Sequence, residues 1–225
     1  MGDKWKNPSV YIIQSVTNYF PSSDFDDWAD TYDQDVITDS FPFTGYQPTL
    51  NTVVRLSDAR PGMTLLDLGT GTGNLARQFL ELGCLVTATD FSSAMLDKAR
   101  ERLPGAALIQ ADVRQEFPAE LRSQKFDRIV SGYVFHHFDL AEKVSILLRL
   151  SELLAPGARL VIADISFPDR HAQEAVMRAA GDAWDEEFYW IASEAVPLLK
   201  EASFAVQYHQ VSPCAGVYRI TRSGD

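Results

Sequence analysis

The stretch DLGTGTGN, residues 67–74, carries glycine at alternate positions directly after the apolar run MTLLDL. A glycine turn between a strand and a helix places free backbone N–H groups and a helix N-terminus beside a bound nucleotide. Read from Gly71, the same letters also fit the dinucleotide pattern G-x-G-x-x-A, with Gly73 and Ala76. The stretch therefore predicts a nucleotide site without deciding which nucleotide binds.

Three carboxylates narrow the choice of nucleotide. Asp90 ends the predicted strand CLVTATD, 17 residues after Gly73, where an acidic residue typically holds the ribose hydroxyls of an adenosine. Asp112 closes the next predicted strand, and its carboxylate suits an adenine amino group. Asp67 stands two residues before the first glycine. A carboxylate placed there would repel a pyrophosphate and attract an ammonium or sulfonium group, which favours S-adenosylmethionine over NAD.

Two adjacent histidines, His136 and His137, follow the fourth predicted strand and are the candidate catalytic residues. If S-adenosylmethionine donates its methyl group, an acceptor oxygen or nitrogen that carries a proton needs a general base, and either imidazole could serve as that base. A thiolate or enolate acceptor needs none. A hydrogen bond that only orients the loop is an equal alternative. The pair also suggests a metal with Asp139 as third ligand, but metal-binding histidines more often share a helix face. We therefore predict no metal.

The elements that must position these residues alternate regularly from Gly62 onward. Five strands are separated by helices, which predicts a parallel sheet covered on both faces. The last two strands, FAVQYHQV and AGVYRITR, are joined only by SPC and must pair antiparallel. The predicted fold is α/β: a doubly wound, Rossmann-like, seven-stranded and mostly parallel sheet with an antiparallel last strand. Residues 1–61 are expected to form a helical lid and residues 62–225 the catalytic domain.

Local signals place helix starts and a late insertion. Asp139 with Glu142 predicts a capping box, and Ser92 and Ser193 are expected helix caps. The insertion GDAWDEEFYWIASE mixes aromatic and acidic residues. It is expected near the substrate, either as an aromatic wall that suits an apolar or cationic molecule or as an amphipathic helix with its aromatics in the core.

Composition limits the partners that the chain can have. A formal net charge of −11 argues against a nucleic acid or an anionic membrane as the main partner. Two cysteines fit a reduced cytoplasmic protein, and we see no signal peptide or apolar run of membrane-spanning length. A cytoplasmic protein is expected, and its oligomeric state is not indicated.

Five motifs over residues 65–164 occur together in one order. They are LLDLGTGTGNL, TATDFSSAML, IQADVRQEFP, FDRIVSGYVFHHF and LLAPGARLVIAD. With them the sequence resembles the class I S-adenosylmethionine-dependent methyltransferases, in the small-molecule group of the ubiquinone/menaquinone and YrrT-like methyltransferases. The resemblance implies S-adenosylmethionine as cofactor and a small-molecule methyl acceptor.

The resemblance also implies roles for individual residues. Around the methionine part of the cofactor it places Asp67, Gly69, Thr70, Gly71 and Gly73, with Ser131 or Gly132 approaching from the fourth strand. Around the nucleoside it places Asp90 at the ribose, Phe91 and Met95 against the adenine, and Asp112 with Val113 at the adenine edge. Tyr32, in the N-terminal segment WADTYD, would reach the methionine carboxylate or amine. Two alternatives stay open: an NAD-dependent oxidoreductase, and a regulator that binds S-adenosylmethionine without catalysis.

Overall fold

The computed structural model describes residues 22–224, so the first part of the predicted lid, residues 1–21, lies outside the described residues. The strands are β1 Thr64–Leu68, β2 Leu85–Asp90, β3 Ala107–Gln110, β4 Phe126–Gly132, β5 Leu154–Phe167, β6 Trp190–Ile191, β7 Phe204–Ser212 and β8 Ala215–Arg222. The helices are α1 Ser22–Trp28, α2 Tyr32–Asp35, α3 Tyr46–Ser57, α4 Asn74–Glu81, α5 Ser93–Arg102, α6 Ala119–Arg122, α7 Leu140–Ser151, α8 Arg170–Ala180 and α9 Ala192–Glu201.

Seven of these strands form one sheet in the order β3-β2-β1-β4-β5-β8-β7, and the two-residue strand β6 pairs with β5. Strands β1 to β5 run parallel to one another, whereas β8 is antiparallel to both of its neighbours. The predicted doubly wound sheet with a reversed last strand is confirmed. The short link between β7 and β8 is the cause, because it allows only a hairpin.

Strand residues alternate between two hydrophobic cores, one on each face of the sheet. In β1, Leu65 packs on the face covered by α3, α4 and α5, and Leu66 packs on the face covered by α6, α7 and α9. In β5, Val161 and Ile162 divide in the same way. Burial on both faces fixes the strands in register, so their carboxyl ends stand at one edge.

The structure confirms two of the predicted caps and corrects two other expectations. Ser92 accepts a hydrogen bond from the Met95 N–H, and Asp139 forms the capping box with Glu142. Ser193 is not a cap, because α9 begins at Ala192 with Ile191 before it. The insertion is not an amphipathic helix either. After a short 3-10 turn, its chain runs without regular structure to β6, because pairing of that strand with β5 needs extended backbone.

Polar contacts fasten α1 and α2 to the glycine turn and to α5. Asp33 accepts hydrogen bonds from Thr72 at 2.8 Å and Asn74 at 2.9 Å, and also pairs with Arg102. Asp26 accepts one from Ser92. The N-terminal helices thus lie across the carboxyl edge of the sheet. Over residues 22–224, no helix has both the length and the apolar character needed to cross a bilayer.

Candidate active site

One cavity of about 630 Å³ opens at the carboxyl edge of the sheet and brings most of the predicted site residues together. The predicted residues that line it are Tyr32, Gly69, Gly71, Asp90, Phe91, Met95, Asp112, Val113, Gly132, His136 and His137. Asp67, Thr70, Gly73 and Ser131 are not among the lining residues. We call the part around Gly71, Asp90 and Asp112 the glycine-loop end, and the part around His136, His137 and Glu187 the histidine end.

The glycine turn has a backbone that strongly favours glycine. Gly69 has φ of +67°, and a Cβ at this position would lie 2.3 Å from Cγ2 of Val134. Gly71 also has positive φ, +54°, although a Cβ there would meet nothing within 4 Å. The first glycine is thus required by close packing against the chain after β4, and the second by conformation. Gly73, which caps α4, continues the turn.

Asp67 lies beneath this turn rather than on the cavity wall. Its carboxylate is 1% exposed, and Oδ2 accepts a hydrogen bond of 2.7 Å from the Thr70 hydroxyl. Among the described residues, Oδ1 has no hydrogen-bond partner. Burial, with the nearby charge of Asp90, raises the pKa of Asp67 to about 7. A buried carboxylate oxygen with no partner is costly, and a cationic ligand group would satisfy it.

Asp90 holds the glycine turn from the neighbouring strand. Its Oδ2 accepts from the Gly71 N–H at 2.8 Å, and its Oδ1 accepts from the Ser92 N–H at 3.0 Å. Burial raises the pKa of Asp90 to about 6, against the lowering effect of these backbone donors. Each carboxylate oxygen can accept a second hydrogen bond. Both oxygens can therefore also accept from a vicinal diol.

The adenine residues implied by the sequence lie together beyond Asp90. Arg114 holds both carboxylate oxygens of Asp112, and its guanidinium lies 5.7 Å from the centre of the Phe91 ring. Burial would raise the pKa of Asp112, but the hydrogen bonds and charge of Arg114 outweigh it and lower that pKa. Met95 is buried and lines the same wall. The result is an apolar slot with a carboxylate at its edge.

Three further predicted residues flank the middle of the cavity. Tyr32, at the start of α2, lies with its hydroxyl 3.4 Å from that of Tyr46. Gly132 lines the cavity at the end of β4. Ser131 is fully buried and donates to the Leu68 carbonyl at 2.8 Å. Its hydroxyl therefore ties β4 to β1 instead of facing the cavity.

At the histidine end, His136 pairs with a carboxylate from the adjacent strand. Nδ1 of His136 lies 2.6 Å from Oδ1 of Asp164, which is fully buried in β5. The other oxygen of Asp164 accepts from the Trp190 indole at 3.2 Å, and the Ile165 N–H donates to Oδ1. Burial alone would lower the pKa of His136, but the charge and hydrogen bond of Asp164 raise it overall, with Glu187 adding to the effect.

Glu187 lies against both imidazoles. Its Oε2 is 3.8 Å from Nε2 of His136, and its Oε1 is 3.5 Å from Nδ1 of His137. Burial would raise the pKa of Glu187, but the two histidines lower it. Burial and the charge of His136 lower the pKa of His137. An ionised carboxylate therefore faces the cavity between two imidazoles.

These three side chains are also the group that could hold a metal ion. Their donor atoms lie within 4.8 Å of one another. Glu187 takes the place that the sequence suggested for Asp139, because the carboxylate of Asp139 caps α7. Lys143, buried behind the group with its ammonium on the Phe138 carbonyl, already supplies a positive charge that lowers the pKa of His136.

Sequence reasoning missed Asp164 and Glu187, and it missed the Asp33 contacts. Asp164 carried a usable signal, because it ends the run ARLVIAD in the strand next to β4. Glu187 is one of five acids in the insertion and had no signal that set it apart. The pairing of Asp33 with Thr72 depends on how the N-terminal helices fold over the sheet.

Known proteins match this chain in sequence and in fold. A family profile described as a methyltransferase domain matches residues 66–160. An uncharacterized methyltransferase of Geobacillus sp. (strain WCH70) is 36% identical over 198 residues, covering 83% of this chain and 90% of the relative. The uncharacterized methyltransferase YrrT of Bacillus subtilis (strain 168) is 33% identical over 174 residues, covering 76% of this chain and 78% of YrrT.

Solved structures share the fold at lower identity. The DhpI-SAM-HEP complex superposes with a TM-score of 0.70 at 18% identity and covers 88% of this chain and 94% of DhpI. Magnesium protoporphyrin IX methyltransferase from Synechocystis PCC 6803, with bound SAH, gives a TM-score of 0.66 at 21% identity, covering 92% and 98% of the two chains. These likenesses establish the architecture.

The sheet order, the glycine turn and the carboxylate that ends β2 define a nucleotide-binding methyltransferase of the Rossmann-like type. The chain belongs to the class I S-adenosylmethionine-dependent methyltransferase family, with the Geobacillus and Bacillus subtilis proteins among its relatives. This membership decides the question that the Gly71-to-Ala76 pattern left open, in favour of methyl transfer over NAD-dependent oxidation.

Asp67→Asn is expected to stabilise the ligand-free protein at pH 8 while weakening cofactor binding. The pKa of Asp67 is raised on folding to about 7, so its contribution to stability declines as the pH rises from about 4 through 7. The neutral amide avoids the cost of a buried charge. Urea unfolding should show a larger variant advantage at pH 8 than at pH 5, because pH 8 lies above the whole window and pH 5 lies near its lower end. Asp97→Asn, an exposed control on α5, should show none.

Proposed function

We propose that this protein transfers a methyl group from S-adenosylmethionine to a small-molecule acceptor in the cytoplasm. The observation that carries the proposal is one cavity with two chemically different ends. The glycine-loop end offers Asp90 and the Asp112 slot. The histidine end offers a His–Asp pair beside an ionised Glu187. Two buried free cysteines, Cys84 and Cys214, support a reducing compartment.

The residues of the glycine-loop end fit the cofactor part by part. Asp67, buried beneath the turn, places negative charge under Gly69 and Gly71, where the cationic amino-acid part of the cofactor would lie. Asp90 accepts from the ribose hydroxyls, and the slot of Phe91, Met95 and Val113 takes the adenine with Asp112 at its amino group. Thr70 and Gly73 hold the turn, Gly132 and Tyr32 border the methionine part, and Ser131 fixes the end of β4. When bound, the cofactor supplies an activated methyl group on a sulfonium.

The two histidines have different proposed roles beside the methyl acceptor. His136 holds its Nδ1 toward Asp164, which leaves Nε2 as the atom that takes a proton from the acceptor. This follows the logic of a histidine base oriented by a buried carboxylate. His137, with its lowered pKa, stays neutral beside Glu187 and bounds the cavity next to Phe25. The rest of the effect is alignment and exclusion of water.

The N-terminal segment, residues 1–61, is proposed as a lid on the catalytic domain of residues 62–225. Trp28 and Phe43 belong to the cavity wall, and Asp33 fastens α2 to the glycine turn. Side chains of this segment therefore form part of the cavity wall and cover bound ligands from one side. Closing this lid would remove water from the reacting atoms.

Cofactor choice is tested by calorimetric titration of the purified protein with S-adenosylhomocysteine and, separately, with NADH. Binding of S-adenosylhomocysteine at one site per chain, with no heat from NADH, is the expected result. The reverse pattern would overturn the cofactor assignment. Transfer itself is tested with methyl-labelled S-adenosylmethionine and a small-molecule metabolite extract, where label must appear in a product that depends on active protein.

Removal of divalent metal is expected to leave this transfer unchanged. The ammonium of Lys143 already places positive charge behind His136 and Glu187, which disfavours a dication in the same spot. Label transfer after dialysis against EDTA should equal that of untreated protein. A loss restored by one added metal would show that His136, His137 and Glu187 act as ligands instead.

A further inference from the structure

The histidine end of the cavity has an unusual balance of charge. Within residues 22–224, Arg114 is the one lysine or arginine that lines the cavity, and it is engaged with Asp112 at the glycine-loop end. The carboxylate of Glu187, by contrast, lies at the histidine end, 3.8 Å from Nε2 of His136 and 3.5 Å from Nδ1 of His137. Lys143 lies behind this end but does not line the cavity, and its ammonium is bonded to the carbonyl oxygens of Phe138 and Phe188. An acceptor that enters as a carboxylate or phosphate would therefore meet Glu187 and no lining lysine or arginine at this end.

Aromatic side chains line the same cavity as this carboxylate, and we call Phe25, Phe41 and Tyr189 the aromatic wall. Phe25 lies edge-on to His137 with ring centres 5.4 Å apart. Tyr189 packs against Phe41 at 6.1 Å, and all four of these residues line the cavity. A carboxylate among aromatic faces is the combination that recognises an ammonium ion in water-poor surroundings. It is a poor setting for an anionic nucleophile, because Glu187 would oppose formation of a phenolate or thiolate beside it.

We propose, resting on the proposed function, that the methyl acceptor is a small amine, bound as its ammonium ion between Glu187 and the aromatic wall. The ammonium gives one proton to Nε2 of His136, which lies 3.8 Å from Glu187. The freed nitrogen lone pair forms the new N–C bond with the methyl carbon. The electron pair of the breaking S–C bond stays on sulfur, which becomes the neutral thioether of S-adenosylhomocysteine.

The direction of charge movement supports an amine over other acceptors. In amine methylation the positive charge leaves sulfur and develops on nitrogen, so the product is again a cation. In the proposed position of the amine, Glu187 lies beside the nitrogen on which that charge develops, and an opposite charge there lowers the barrier. With an oxygen or sulfur anion the two charges cancel during transfer, so Glu187 would stabilise no developing charge and would oppose formation and binding of the anion.

The test separates a metabolite extract at pH 7 into cationic, neutral and anionic fractions by ion exchange. Each fraction is incubated with the full-length protein and methyl-labelled S-adenosylmethionine. The expected result is label transfer from the cationic fraction alone, into a product that stays on a cation exchanger and resists alkaline hydrolysis. Label from the neutral or anionic fraction would overturn the amine proposal while leaving methyl transfer intact. No label from any fraction, in protein that binds S-adenosylhomocysteine, would overturn both.

Glu187→Gln gives a second test with a matched control. The variant should need about 10- to 100-fold more of the active fraction for half-maximal labelling, because it loses a charged partner of the acceptor. Its affinity for S-adenosylhomocysteine should be unchanged. Glu186→Gln, at the adjacent exposed carboxylate outside the cavity lining, should behave as the parent protein. Equal concentration dependence in both variants would remove Glu187 from acceptor recognition.

Discussion

His136→Gln is expected to lower turnover in the labelled-methyl assay by about 10²- to 10⁴-fold while leaving the affinity for S-adenosylhomocysteine unchanged. Glutamine retains a hydrogen-bonding side chain but cannot take a proton at neutral pH. Because Asp164 holds Nδ1 of His136, the loss of turnover in His136→Gln should exceed the loss in His137→Gln. His171→Gln, exposed on α8, serves as control. Unchanged turnover in both site variants would remove histidine from the mechanism.

The pH dependence of turnover should also identify His136 as the general base. The base must be neutral to act, so turnover should rise with pH through the His136 pKa, which lies above its ordinary value of 6.5. The charges of Asp164 and Glu187 favour the imidazolium form of His136, whereas burial and the charge of Lys143 disfavour it. The imidazole of His137 lies next to that of His136 and is coupled to it electrostatically. Asp164→Asn should therefore shift the rising limb to lower pH and reduce the plateau. A limb that stays in place would show that His136 does not set it.

Asp90→Ala is expected to weaken S-adenosylhomocysteine binding by about 10²- to 10³-fold, from the loss of two charge-assisted hydrogen bonds. The side chain also holds the Gly71 and Ser92 N–H groups, so part of the loss comes from a looser turn. Asp90→Asn keeps one acceptor oxygen and should fall between parent and alanine variant in calorimetric titration.

A control separates the two contributions at Asp90. Asp97→Ala, exposed on α5, should bind the ligand as the parent does. The melting temperature without ligand measures how the looser turn affects stability. The increase in melting temperature on adding ligand measures binding. If Asp90→Ala binds S-adenosylhomocysteine with the parent affinity, the ribose assignment is wrong.

Much of the glycine-loop end could be predicted from sequence. The glycine turn, Asp90 and Asp112 are readable because each stands at or within two residues of a strand end, and parallel strands place those ends along one edge. Even so, the environment of Asp67 was not readable. Its carboxylate lies beneath the turn with one oxygen unpartnered, because the turn folds over the strand that carries it. The prediction of Ser193 as a helix cap was wrong for a similar reason. Strand β6 pairs with β5, and α9 begins directly after β6 without a side-chain cap.

The histidine end shows what only tertiary structure decides. The sequence by itself determined the succession of strands and helices, the reversed last strand, the nucleotide turn and the presence of two histidines after β4. It could not join His136 to Asp164, 28 residues away, or bring Glu187 between the imidazoles. The first contact arises because β4 lies beside β5 in matched register. The second arises because the insertion returns to pair β6 with β5. Side chains meet across a sheet through neighbouring strands, and a linear pattern of residue types does not contain that information.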